Sequence, residues 1–216
     1  VSFDHSQLNE AIVALDTFQP PYVIKADGLA AGKGVIITKS KAEATKTLRD
    51  MLSGLAFQEA GKKVVIEEFL SGRELSMFAV TDGSSYHLLP SAKDYKQIGE
   101  GDTGANTGGM GAISPVPFLT EEFQEKALNQ VIIPTIKGLS KDGIPFSGVL
   151  FFGLIRVGSD PYVIEYNCRL GDPETEVILP RIKSDLLHLF ESLCSGLLSE
   201  YDLVTDERAA ATVILA

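Results

Sequence analysis

Apolar residues recur at helical spacing over residues 5–17, where Leu8, Ile12 and Leu15 share one face, and Asp4 with Gln7 supply the side chains of a capping box. Pro20 and Pro21 end that helix. Two short β-rich runs follow, 22–26 and 35–38, joined by the glycine-containing loop 27–34. Ser40 and Glu43 repeat the capping-box signature ahead of a helix of about a dozen residues whose inward face includes Ala44, Leu48 and Leu52. Residues 63–69 read as a strand, Ser71-Gly72 as a break, 75–80 as a further strand, and Asp82-Gly83 as a hairpin turn. From 91 to 117 apolar periodicity fades and glycines accumulate, which predicts a long loop. Thr120 then caps a helix with Glu121 and Glu122 in its first turn, where the helix dipole favours acids. The runs 148–157 and 162–167, joined by the turn 158–161, predict an antiparallel hairpin; Ser184 opens a last helix, and 210–216 begins another strand. The elements lack a strict βαβ rhythm, so the predicted fold class is α+β, with mixed or antiparallel sheets and flanking helices.

Composition narrows the setting. With 216 residues, 44% of them hydrophobic, the chain suits one large domain or two modest ones and is not disordered. No apolar run approaches the ~20 residues of a membrane span, and the first residues lack the pattern of a signal peptide. Cys168 and Cys194 form neither a disulfide framework nor a metal pair, so a cytoplasmic, reducing setting is expected. The net charge of −10 argues against nucleic acid and anionic membranes as partners. Within it, the window 25–63 carries eight bases and four acids, a local +4. That window is either a set of solvated helix faces or a basic lobe that faces an anionic ligand.

The candidate chemistry lies in four places. Gly28, Gly32 and Gly34 let backbone N–H groups approach anionic oxygens and Lys33 adds charge, although the spacing and the strand that follows are not those of a Walker A loop. Lys25, inside an apolar strand, needs an anionic partner. Glu67, Glu68, Phe69 and Leu70 end a strand; a backbone edge there suits adenine, and Glu74 beyond it suits a ribose, while the plainer reading is a solvated strand end. Glu165 and Asn167, two apart on a strand, project to one face and offer two hard oxygens for Mg²⁺, or are simply polar residues on a wet face. Arg169, beside them, either stabilises charge on a transferring phosphoryl group or is the counter-ion of Asp172 or Glu174.

Four strings in order, Lys25-Ala-Asp-Gly-Leu-Ala-Ala-Gly-Lys-Gly-Val35, Glu67-Glu-Phe-Leu70 with Gly72 and Glu74, Gly101-Asp-Thr-Gly104 running into Asn106-Thr-Gly-Gly-Met-Gly111, and Glu165-Tyr-Asn-Cys-Arg-Leu-Gly-Asp-Pro-Glu174, make the chain resemble the ATP-grasp domain of the phosphoribosylamine–glycine ligase family, the glycinamide ribonucleotide synthetases of purine biosynthesis. The resemblance implies an ATP-grasp fold, two lobes clamping ATP, with a small lobe at 1–72, a larger one at 73–205 and the start of a C-terminal domain at 206–216. It implies ATP with Mg²⁺ or Mn²⁺, glycine and 5-phosphoribosylamine as substrates, a glycyl phosphate intermediate, and a monomeric full-length protein of which this is a part that is weak or inactive alone. By residue, it implies ATP contacts from Lys25, Gly28, Gly32, Lys33, Gly34, Glu67, Glu68, Phe69, Leu70 and Glu74, with the basic window facing the triphosphate. Glu165 and Asn167 hold the metal. Asp94 and Arg169 act in catalysis and, with Asn106, Thr107, Gly108, Gly109 and Asp172, line the substrate pocket. Around Asp94 the family usually reads Gln-Asp-His-Lys-Arg; here Lys93-Asp94-Tyr95-Lys96-Gln97 keeps only the aspartate and the lysine, so roles at the other positions do not carry over. Two further readings stay open: another ATP-grasp ligase of purine metabolism, and a non-catalytic nucleotide-binding domain.

Overall fold

The structure, a computed structural model, describes residues 1–30, 34–101 and 103–215, and the chain divides into two compact units, 1–70 and 71–216. In the first unit, β1 (Ser2–Asp4), β2 (Tyr22–Ala26), β3 (Val35–Thr38) and β4 (Lys63–Glu67) form one sheet in the order β1-β4-β2-β3 with antiparallel neighbours, and α1 (Leu8–Ala14) and α2 (Lys41–Leu52) pack on it. Leu15, Ile24, Leu48, Met51 and Ile66 are fully buried between helices and sheet. The sequence pattern misses β1, because three residues show too little alternation to read; pairing of Ser2 with Val65 creates the strand.

The first helix is shorter than 5–17. Asp4 spends its Oδ1 on the N–H and hydroxyl of Ser6, only the Gln7 side chain completes its half of the box by accepting from the Asp4 N–H at 3.1 Å, and the helix ends in a 3₁₀ turn over Leu15–Thr17. At α2, Ser40 Oγ accepts from the Glu43 N–H at 3.3 Å, but the Glu43 carboxylate accepts from Thr38 Oγ1 at 2.5 Å and Thr38 Oγ1 accepts from the Ser40 N–H at 3.1 Å, so a buried threonine relays the box.

The second unit contains β5 (Arg73–Thr81), β6 (Tyr86–Asp94), the hairpin of β7 (Gln97–Gly99) and β8 (Thr103–Asn106), β9 (Gly111–Ser114), α3 (Glu121–Ala127) continuing through a π turn into α4 (Ile133–Lys141), β10 (Gly148–Val157), β11 (Asp160–Asn167), α5 (Thr175–Ile178), α6 (Leu186–Ser195) and β12 (Ala210–Val213). Six of the strands make one antiparallel sheet in the order β11-β10-β5-β6-β9-β12. Both faces are covered. Leu75, Met77 and Ala79 of β5 with Leu150, Phe152 and Leu154 of β10 meet Phe123 and Ile132 on one side, while Phe78, Val80 and Phe151 meet Ile178 and Leu189 on the other. Burial on two faces is why β5 and β10 read as continuous apolar runs rather than alternating ones. Asp82 shapes the β5–β6 turn, its Oδ1 accepting from the N–H groups of Ser84 and Ser85 at 2.9 and 2.7 Å.

Several expectations are corrected here. The stretch 91–117 is not one loop: it holds the end of β6, the β7–β8 hairpin and β9, whose glycines serve strand geometry and close approach rather than disorder. Gly111, for instance, leaves no room for a Cβ against the backbone of Thr212. The last helix is capped by Asp185, whose Oδ1 accepts from Leu187 and His188, while Ser184 Oγ donates to the Asp202 carbonyl and accepts from the Val204 N–H. The two compact units divide between Leu70 and Ser71, and Gly72 sits so tightly on the Arg156 carbonyl that only glycine fits. Residues 206–215 cluster with the second unit, where β12 pairs with β9. Among the described residues no helix is long and apolar enough to cross a membrane.

Candidate functional site

In the first unit, β2 and β4 run antiparallel with Lys25 opposite Val65 and Val23 opposite Glu67. Lys25 and Glu67 are therefore diagonal neighbours on one face, and their charged groups meet at 2.5 Å. This is the anionic partner that a lysine in an apolar strand requires, found in a carboxylate that the sequence assigned to a strand exit. Gly28 backs directly onto Ala60, donating its N–H to the Ala60 carbonyl at 3.1 Å, and Gly34 packs on Ala26 and Ala30. Both glycines thus have a packing reason as well as a candidate ligand role. Glu68 and Phe69 are exposed beyond the strand. Gly32 and Lys33 lie outside the described residues, as does the side chain of Asn106.

Counted over the whole unit, the excess positive charge of the window is offset. Lys41 pairs with Asp16, Lys62 with Glu59 at 2.5 Å and Lys63 with Asp27 at 3.2 Å, and the unit 1–70 as a whole holds eight bases and nine acids, net −1. The +4 arose because a window opened at Lys25 and closed at Lys63 leaves out Asp4, Glu10, Asp16, Glu67 and Glu68.

In the second unit, a pocket between β5, β6, β10 and β11 gathers Glu74 and Ser76, Asp94 and Lys96, Gly153 and Glu165. β10 and β11 place Phe151 opposite Asn167 and Gly153 opposite Glu165, so both candidate metal ligands share the face of Phe151, while Tyr166 turns to the other face and meets the Phe152 ring edge-on. A bulge at Ile164 sets this register, and Gly153 makes room for the Glu165 side chain: a Cβ there would stand 2.9 Å from Glu165 Cγ. The Lys96 ammonium lies 3.6 Å from Glu74. Burial alone would lower its pKa; the carboxylates of Glu74, Glu165, Asp94 and Glu174 outweigh burial and hold it above its ordinary value. Asp94 is pushed up to about 6, first by burial and then by the Glu174 carboxylate, against the opposing pull of Lys96 and Lys93. Its Oδ1 is buried without a hydrogen-bond partner among the described residues. A carboxylate oxygen in that state is costly, and a ligand N–H or ammonium is the group that would satisfy it.

Two turns close on Asp94. Thr107 donates its N–H and its Oγ1 to the Lys96 carbonyl at 2.8 and 2.9 Å, and its Oγ1 accepts from the Gly109 N–H at 3.0 Å. Gly109, at φ +114°, would place a Cβ into Pro173 and 3.2 Å from Asp94 Oδ1, so glycine is required where the loop abuts both. From the other side comes the 171–174 turn, whose Glu174 is only 3% exposed and accepts from Ser76 Oγ at 2.8 Å. Arg169 and Asp172 are not brought into this cluster. Both are exposed, Arg169 donates to the Leu170 carbonyl at 2.8 Å, and among the described residues it pairs with neither Asp172 nor Glu174. Gly108 has open space around it.

Lys96, Ser76 and Glu174 belong to the cluster but were not named as site residues from the sequence. Lys96 and Glu174 lay within the strings already quoted, and the readable signal for Glu174 was a carboxylate three residues ahead of the apolar run Val177-Ile178. Ser76 carried no signal, since only the fold brings β5 to that turn. For a divalent cation the available donors are Glu165 and Asn167; among the described residues no three His, Cys, Asp or Glu converge as a metal site. Two protein oxygens on one face of β11, with Glu165 lining the pocket, fit Mg²⁺, which completes its shell with water and phosphate.

The model of the phosphoribosylglycinamide synthetase ATP-grasp (A) domain matches residues 2–175. A phosphoribosylamine–glycine ligase of Haemophilus influenzae is 47% identical over 212 residues, covering 98% of this chain and 49% of its own length. One from Agrobacterium fabrum is 49% identical over 196 residues, covering 91% and 46%. The chain thus spans about half the length of the curated relatives it matches. The crystal structure of phosphoribosylamine–glycine ligase from Thermotoga maritima superposes with a TM-score of 0.86 at 38% identity, over 100% of this chain and 54% of that one. The biotin carboxylase domain of 2-oxoglutarate carboxylase from Hydrogenobacter thermophilus, solved in complex with MgADP and bicarbonate, superposes at 0.71 with 15% identity, over 96% and 44%, and shares the fold alone. With its antiparallel sheets, its four motif strings and a family match over residues 2–175, the chain belongs to the phosphoribosylglycinamide synthetase ATP-grasp (A) domain family.

Proposed function

We propose that this chain carries the ATP-dependent part of a carboxylate–amine ligation, in which glycine is joined to 5-phosphoribosylamine with release of ADP and phosphate. Relatives bearing that ligase's name support the substrate pair. The observation that carries the reading is the buried, unpartnered Oδ1 of Asp94 in a pocket shared with Glu165. In this reading the glycine carboxylate attacks the γ-phosphate to give glycyl phosphate and ADP, and the amine then displaces phosphate from the acyl carbon. The order follows from chemistry, since a carboxylate oxygen leaves poorly until it is phosphorylated. Lys25, Gly28, Gly32, Lys33 and Gly34 serve the phosphates, residues 67–70 the adenine and Glu74 the ribose. Asp94 receives an amine, Arg169 and Asp172 lie by the substrates, and Asn106, Thr107, Gly108 and Gly109 border them. Glu165 and Asn167 would hold Mg²⁺ or Mn²⁺, which when bound neutralises charge on the nucleotide phosphates. The protein's contribution is positioning and electrostatic stabilisation. A cytoplasmic, monomeric enzyme acting on small molecules is part of the same proposal.

The test is calorimetry with AMP-PNP and Mg²⁺. Binding is expected, weakened about tenfold or more in Glu165→Ala and Asn167→Ala, the order of loss that follows when a hard-cation site is left with a single protein oxygen. No binding at millimolar nucleotide would overturn the nucleotide assignment. In a turnover assay, ADP release that requires some other acid and amine would replace the substrate pair.

A further inference from the structure

Asp94 of β6 stands directly opposite Ala112 of β9, and Ala112 directly opposite Thr212 of β12. Residues opposed across neighbouring strands project to the same face, so these three form one row. That face carries α5: the side chain of Ala112, 1% exposed, packs in one core with Val177 and Ile178. At the far end of the row Thr212 Oγ1 donates to Glu176 Oε2 of α5. At the near end, Glu174 raises the Asp94 pKa and Pro173 closes on Gly109 beside the Asp94 carboxylate. Glu174 and Glu176 are two residues apart at the start of one short helical turn, so fixing one limits where the other can go. The same edge strand also holds the glycine turn, because the Ile214 N–H donates to the Met110 carbonyl at 3.0 Å and the Thr212 backbone backs Gly111.

We propose that Thr212 and Glu176 are positioning residues for the pocket around Asp94, holding the 171–176 turn and the 107–111 turn against it from the outer edge of the sheet. Neither touches the pocket itself. The interpretation of that pocket as the amine site rests on the function proposed above, but the placement of Asp94 by the row does not.

The test compares Thr212→Val, Thr212→Ser and Glu176→Ala in the full chain, by hydrogen exchange and by carbon NMR titration of the Asp94 carboxyl. Thr212→Val and Glu176→Ala should each speed exchange about tenfold over 107–111 and 171–176, leave β5 and β10 unchanged, and move the Asp94 midpoint from near 6 toward the ordinary carboxylate range. Thr212→Ser keeps the hydroxyl and should behave as the parent, and the double variant Thr212→Val with Glu176→Ala should add nothing to either single change. An unmoved Asp94 midpoint in both single variants, or faster exchange spread evenly over the unit, would overturn the proposal. Should Thr212→Val fail to fold, Glu176→Ala and Thr212→Ser decide it. Failure to bind Mg·AMP-PNP would count against the function and leave these readouts intact, because none of them uses a ligand.

Discussion

A buried carboxylate is costly unless something on the protein or a ligand compensates it, and Asp94 has a buried oxygen that accepts no hydrogen bond among the described residues. The cost has a definite pH dependence. With its pKa raised to about 6 in the folded state from 3.8, Asp94 favours folding fully below about pH 4, and that contribution is lost as pH rises through 6. Asp94→Asn is therefore expected to stabilise the chain by about 1–3 kcal/mol at pH 7, an advantage that disappears below about pH 4. Urea melts at the two pH values check this. Glu174→Gln removes a charge that raises Asp94, so the Asp94 midpoint should fall, as read by carboxyl NMR. Much at this scale was legible: Asp94, Glu165 and Gly109 stand in recognisable strings, and the pocket or its border contains all three. Ser76 was not legible, because a serine in an apolar strand gains meaning only when Glu174, 98 residues away, is packed against it.

Helix and strand boundaries were decided by which side chain reached an orphan N–H first. Ser184 is a good cap by composition, yet the Asp202 carbonyl and the Val204 N–H engage its hydroxyl, and Asp185 caps the helix instead. Asp185→Ala should cost about 1 kcal/mol in chemical denaturation, through loss of the bonds to Leu187 and His188. Ser184→Ala should loosen the 202–204 segment without shortening α6, which hydrogen exchange would distinguish. The glycine-rich stretch 91–117 failed as a loop because β7, β8 and β9 are each only three or four residues long, too short for alternation to register. Their pairing partners, not their own sequence, make them strands.

At the scale of the molecule, each unit has its own buried residues, and among the described residues the core of 1–70 is built from that unit alone and the cores of 71–216 from the other. Leu48→Ala should destabilise the first unit by about 2–5 kcal/mol and Phe152→Ala the second by about 3–5 kcal/mol. Hydrogen exchange should rise in the mutated unit only; equal loss of protection in both would show that they unfold together. Charge follows the same division: within the net −10, the unit 1–70 sums to −1 although the window 25–63 sums to +4, and Lys25, Lys41, Lys62 and Lys63 of that window are held in ion pairs. The sequence by itself determined the α+β class, a hairpin turn at Asp82-Gly83 and another after Val157, which it drew as 158–161 although β11 already begins at Asp160, the strings that mark the family and the one-face geometry of Glu165 and Asn167, because each depends on residues close along the chain. Tertiary structure alone decided that Lys25 meets Glu67, that Glu174 and Ser76 join Asp94, and that β12 pairs with β9. Those contacts join segments far apart in sequence, brought together by strand register and by the packing of each sheet against its helices, which no local pattern contains.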